Sequence, residues 1–125
     1  MMLFFVVPGR PVPAVRQTRN SRYGQDAARI KRIHAYDAYK DAVGWAARAA
    51  GADLDAMMTA PLALDVTVYV NRRGRWDGDN VLKSIADGLQ GVAFRNDTAI
   101  YRWALQIVTG ETDERVEVAL WEVAS

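Results

Sequence analysis

Residues 62–70 set the strongest limit on what this chain can fold into. Leu62, Leu64, Val66, Val68 and Val70 occupy alternate positions, so they share one face of a β-strand. Pro61 stands at the strand's start, where a missing amide donor is tolerated. A strand with one apolar face needs a second layer to cover it, and residues 79–91 supply one as a helix. At about 100° per residue, Val81, Leu82, Ile85, Ala86 and Leu89 gather on one side of that helix. Asp79, Lys83 and Asp87 gather on the other, which leaves an apolar face for the sheet and a charged face for solvent or ligand.

The flanking sequence extends this unit. Residues 2–7 are a short apolar run stopped by Pro8-Gly9, which predicts a buried strand. Residues 8–33 contain three prolines and many arginines and predict a long loop. Tyr36, Tyr39, Val43, Ala46 and Ala50 recur at helical spacing and predict a helix over 35–50, ended by Gly51. Residues 98–108, with Tyr101, Trp103, Leu105 and Ile107 on one face, and 115–123, with Val116, Val118 and Leu120, predict two more strands. Their short polar connection suggests a hairpin. The expected order is β-loop-α-β-α-β-β. This is an α+β (mixed α/β) fold, a small mixed β-sheet covered by two helices, in a single domain over 1–125.

Composition narrows the function. The chain has no cysteine, which excludes disulfides, zinc-thiolate sites and thiol catalysis and is compatible with a reducing, cytoplasmic setting. The apolar N-terminal run is too short for a signal segment, and no later run could span a bilayer. The net charge of +1 hides segregation: residues 10–34 carry seven Arg and Lys against the single Asp26. A basic segment in a near-neutral chain suits a polyanion-facing surface, although a solvated arm without a partner has the same composition.

The chemistry-bearing stretch is Trp76-Asp77-Gly78-Asp79-Asn80-Val81-Leu82-Lys83 through Asp87, directly after the basic run Asn71-Arg72-Arg73-Gly74-Arg75. Clustered carboxylates repel one another unless a cation lies between them. Mg²⁺, with Mn²⁺ as a possible substitute, suits such a cluster because it takes carboxylate oxygens and completes its shell with water and phosphate. Lys83, one turn from Asp79, is placed to hold a phosphate. Asp97, at the start of the next strand, is a candidate third carboxylate that would return to the end of the sheet where Asp77 sits. The local alternatives are a helix cap at Asp77 or Asp79 and i,i+4 ion pairs among Asp79, Lys83 and Asp87. An EF-hand fails, because Val81, Leu82 and Gly88 would fall at ligand and turn positions of its loop.

The pattern Arg-Arg-x-Arg-x-Asp-x-Asp-Asn-x-x-Lys-x-x-x-Asp-x-Leu, followed by Asn96-Asp97-x-x-Ile100, resembles the RusA-type Holliday-junction resolvases. So does the opening Val7-Pro8-Gly9-Arg10-Pro11-Val12-Pro13 with Arg16 and Arg19. The resemblance covers most of the chain and is most specific over residues 72–97. It implies a Mg²⁺-dependent endodeoxyribonuclease of bacteria or their prophages, a homodimer acting on four-way DNA junctions in recombination and repair. It further implies that Asp77, Asp79 and Asp97 are the catalytic, metal-binding carboxylates and Lys83 the active-site lysine, with Asn80 and Asp87 supporting. Asn96 stands where family members often carry Asp. Arg10, Arg16, Arg19, Arg72, Arg73 and Arg75 become candidate phosphate contacts, joined by Arg22, Arg29, Lys31 and Arg32 in the basic segment. Tyr23 and Trp76 are candidates to stack on bases, with packing beside the site as the other reading of Trp76. His34, Trp45, Trp103 and Trp121 read as core or interface residues. Two other functions fit the same residues: a non-catalytic DNA-binding module, and a metal-dependent nuclease acting on another branched or single-stranded nucleic acid.

Overall fold

The computed structural model describes residues 1–15 and 27–124. Its elements are β1 (Met2–Pro8), α1 (Ala27–Ala49), β2 (Leu62–Tyr69), α2 (Gly78–Leu89), β3 (Ile100–Val108) and β4 (Arg115–Glu122), with a single 3-10 turn, Asp97–Ala99, before β3. The expected element order and the α+β class are both found. The strands form one mixed sheet in the order β1-β4-β2-β3, with β2 and β3 parallel and the other pairs antiparallel.

Register explains the core. Leu3 lies across from Leu120 and Leu120 across from Leu64; Phe5, Val118 and Val66 form the next row, and Val7, Val116 and Val68 the next. All nine side chains are buried, in one cluster with Tyr39, Val43 and Ala47 of α1 and Val81, Ile85, Ala86 and Leu89 of α2. Both helices therefore cover the same sheet face. The opposite face has no helix on it, and Met2, Phe4 and Val6 of β1 are exposed there.

Three expectations need correcting. The first helix begins at Ala27, well before the expected start, so Arg29, Lys31 and Arg32 are helical rather than part of a loop. That first stretch is largely exposed, and an exposed helical turn leaves no apolar periodicity to read. Second, the last two strands are not a hairpin, because β2 lies between them. Residues 109–114 instead cross the end of β2: the Gly110 N–H donates to the Asn71 carbonyl (3.0 Å) and the Glu111 N–H to that of Val70 (3.2 Å). A hop over one strand covers only about 10 Å, so a short polar connection serves either topology. Third, none of the four presumed core or interface residues is in the core. His34 and Trp45 are exposed, Trp103 is 42% exposed on the edge strand β3, and Trp121 is half-buried on the helix-free face.

The two helices meet almost backbone to backbone. Gly44 and Gly88 are both buried. A Cβ on Gly88 would stand 2.7 Å from the Cβ of Val43 and 2.9 Å from the Lys40 carbonyl oxygen, and one on Gly44 would stand 3.3 Å from the Gly88 carbonyl oxygen. Gly88 lies inside α2, and the turn after the helix falls at Gly91, where φ is +80°. Gly88→Ala is expected to lower stability by about 1–3 kcal/mol through overpacking, despite alanine's better helix propensity. Tyr39 offers the opposite case: its buried hydroxyl has no hydrogen-bond partner among the described residues. Tyr39→Phe should therefore hold stability or raise it by about 1 kcal/mol. Urea unfolding midpoints check both directions.

Candidate active site

The site is built on α2. Asp77 caps the helix, its side chain accepting from the Asp79 N–H (3.0 Å), so the local capping alternative is realised. Gly78 lies against Leu105, since a Cβ there would meet Leu105 Cδ2 at 2.8 Å, and Leu105 pairs with Val66 in the middle of β2. The helix thus starts over the middle of edge strand β3. Asp79 lies in its first turn, Lys83 one turn on and Asp87 one turn further.

Lys83 joins the charges together. Its Nζ lies 3.0 Å from Asp87 Oδ1 and 3.2 Å from Asp97 Oδ2. The first contact is the expected i,i+4 pair, and the second reaches outside the helix altogether. The hydrogen bond to Asp87, followed by that to Asp97, raises the Lys83 pKa above the ordinary lysine value. A raised lysine pKa stabilises the fold fully below the unfolded value of about 10.4 and loses that contribution only as pH climbs through the folded value. The ammonium is therefore charged, and its two contacts intact, throughout the neutral range.

Asp87 also accepts a hydrogen bond from the Tyr36 hydroxyl of α1. Burial, and then this bond, push the Tyr36 pKa upward, so the phenol stays protonated and donating. Lys40, one turn along α1, places its Nζ 4.3 Å from the centre of the Tyr36 ring. A cleft of about 540 Å³ is lined by Tyr36, Lys40, Asp79, Asn80, Lys83 and Asp87, together with Ala14 and Val15. The segment after β1 reaches it because the Ala14 N–H donates to the Asn80 carbonyl (2.9 Å). A smaller cleft, on the other side of Asp79 and Lys83, is lined by Leu82 and Trp103. Tyr36 and Lys40 were not foreseen as site residues. Their partners are distant in sequence, and the only local signal is a tyrosine and a lysine one turn apart.

Asp97 joins the site from the turn before β3, through its contact with Lys83. β2 and β3 run parallel, and Leu62 pairs with Ile100, so Asp97 stands by the start of β2. Asp77 enters next to Gly78, beside the middle of edge strand β3. Among the described residues no group of three or more His, Cys, Asp or Glu side chains is gathered to hold a metal ion. The donor chemistry still suits a hard cation: Mg²⁺ is usually held by one or two carboxylates and completed by water and phosphate, without a protein cage. Asn96 caps the 3-10 turn, its Oδ1 accepting from the Thr98 N–H (3.0 Å). An aspartate could serve the same cap, so the departure at this position leaves the local geometry intact.

The arginines divide. Arg10 is committed to structure, its guanidinium 2.6 Å from Glu114 and 2.7 Å from the Arg72 carbonyl oxygen. Arg73 donates to the Gly74 carbonyl (2.7 Å) and lies 5.0 Å from the centre of the Trp76 ring. Trp76 packs against the core and fills the space a Gly74 side chain would need, which favours its packing role. Arg72 and Arg75 are exposed. Arg16, Arg19, Arg22 and Tyr23 lie outside the described residues.

Asp87→Asn is expected to bring the Lys83 pKa down toward the ordinary value, because the carboxylate that raises it most loses its charge. An NMR titration of the lysine Cε resonance reads this, and an unchanged midpoint would assign the shift to Asp97 instead.

A family model described as Endodeoxyribonuclease RusA matches residues 8–121 of this chain. The search of curated proteins returned no match.

Proposed function

The chain belongs to the RusA endodeoxyribonuclease family, and we propose that it resolves four-way DNA junctions by Mg²⁺-dependent hydrolysis of phosphodiester bonds. The observation that carries this reading is the line of Asp79, Lys83 and Asp87, residues of the family-like motif, along one face of α2, met at Lys83 by Asp97 from the turn before β3. Asp77, Asp79 and Asp97 are the carboxylates that would hold the ion. When bound, Mg²⁺ orients an attacking water and stabilises charge on the phosphoryl oxygens.

The chain's own groups have separable tasks. Lys83 carries a permanent positive charge beside Asp79 and offers it to the non-bridging oxygens of the scissile phosphate. Asp87, itself bonded by Tyr36, holds the lysine head group in place, since a catalytic charge must be positioned before the substrate arrives. Lys40, Arg72 and Arg75 add positive charge to the approach. These contacts bind backbone phosphate without reading sequence and make affinity fall with salt.

Resolving a junction takes paired cuts, which a two-fold dimer with one site per subunit delivers. The helix-free sheet face favours such a dimer. Its exposed Met2, Phe4 and Val6 adjoin Trp121, which lies across from Met2, and a contiguous exposed apolar patch marks an interaction surface.

Synthetic four-way junction, flap, duplex and single-stranded DNA compared side by side test the reaction. Junction nicking that requires Mg²⁺ or Mn²⁺ and stops in EDTA is the expected result. Asp79→Asn and Asp97→Asn should each lose about 100-fold or more in rate while still binding. Preferential cutting of flap or single-stranded DNA would replace the substrate, and binding without any cutting would leave a DNA-binding module. Phe4→Asp with Val6→Asp should convert a dimer to a folded monomer in sedimentation; an unchanged dimer would move the interface to another face.

A further inference from the structure

Trp103 was expected in the core or an interface, and it is not in the core. It lies on edge strand β3, 42% exposed, on the face turned toward α2, because it pairs with the buried Leu64. Its indole N–H donates to the Ile100 carbonyl (3.1 Å). That bond satisfies the ring's one polar group and fixes its orientation. What remains to offer a ligand is an apolar π-face.

The neighbourhood is specific. Trp103 lines a cleft of about 190 Å³ with Leu82, Asp79 and Lys83, a space on the scale of one base rather than a duplex. The same Asp79 and Lys83 line the larger cleft toward Tyr36 and Lys40. The two clefts thus share these residues as a common border. The other indoles are engaged differently: Arg48 lies 5.3 Å from the centre of the Trp45 ring, Arg73 lies over Trp76, and Trp121 is on the far face of the sheet. Among the described residues no cation covers Trp103.

We propose that Trp103 is a stacking platform for an unpaired base adjoining the scissile phosphate. This rests on the reaction proposed above. A phosphate held at Asp79 and Lys83 puts one neighbouring nucleotide in the Tyr36 cleft and the other over the indole. Stacking of this kind tolerates every base, since each has a π-face, and it requires that base to be out of its pair. Trp103 therefore contributes selectivity for DNA that is already unpaired at the cut, as at a junction centre, and no sequence preference.

The test pairs a side-chain deletion with a base deletion. Junctions are made with an abasic nucleotide on one side or the other of the mapped cut, and binding in Ca²⁺ is measured alongside cleavage in Mg²⁺. Removing a base–aromatic stack costs about 5- to 150-fold, so Trp103→Ala should lose that much on intact junctions. The abasic substitution on the stacked side should cost the wild type a similar factor and cost Trp103→Ala nothing more. Trp103→Phe should restore most of the loss and Trp103→Leu, similar in bulk, little of it. Circular dichroism melts check that each variant folds, and the Phe–Leu comparison stands if Ala does not. Penalties that multiply, Leu rescuing as well as Phe, or Ala behaving as wild type would each overturn the platform. Wild-type protein that binds junctions without cutting them overturns the reaction alone, since stacking is still read in the Ca²⁺ arm. Wild-type protein that does not bind at all overturns both.

Discussion

Everything in the site depends on how closely α1 and α2 approach. Two buried glycines, Gly44 and Gly88, let the helices come together closely, with Val43 filling the space against Gly88. At that distance one stripe of α1, Tyr36 and Lys40 leading to Gly44, lies along Lys83 and Asp87 of α2. A wider crossing filled by larger residues would bury as much apolar surface and still cover the sheet. It would leave Asp87 with Lys83 as its only partner, and Lys83 freer to wander. The glycines weaken α2 as an isolated helix; their value lies in the contact they permit.

The charge arrangement follows from this frame. Carboxylates along one helix face, with another arriving from the parallel strand β3, would repel one another. The protein answers with an internal cation. Lys83 sits between Asp87 and Asp97, while Asp77 is quieted by the helix N-terminus it caps. Asp79 is left facing both clefts. The same lysine that balances the acidic residues is the charge best placed to meet a phosphate.

Legibility in the sequence tracks the range of the interactions. The alternation of β2 and the two faces of α2 are set by neighbours within a few residues, so Leu62 to Val68 and Val81 to Leu89 read correctly. The cap at Asp77 and the Lys83–Asp87 pair are local for the same reason. Asp97 was legible as a candidate carboxylate, but its place by the start of β2 required knowing that β2 and β3 are parallel. Tyr36 could not be found, because its partner lies in another helix. The start of α1 was missed because its first turns contact little and its basic residues resemble a loop. Gly88, which permits close packing, and Gly91, which permits a turn, look alike in a linear sequence.

The position of β4 in the sheet has a consequence for how the protein comes into being. β4 is made last of the strands and lies between the first two, so β1 has no neighbour until residues 115–122 leave the ribosome. Until then the nascent chain has apolar strands with open edges and no base on which to press α1 against α2. Such late, long-range pairing is slow and leaves partly made chains prone to aggregation. It also means that an unfinished copy has no assembled lysine–carboxylate site. The endodeoxyribonuclease activity of the family is thereby tied to completion of the strand that locks the sheet.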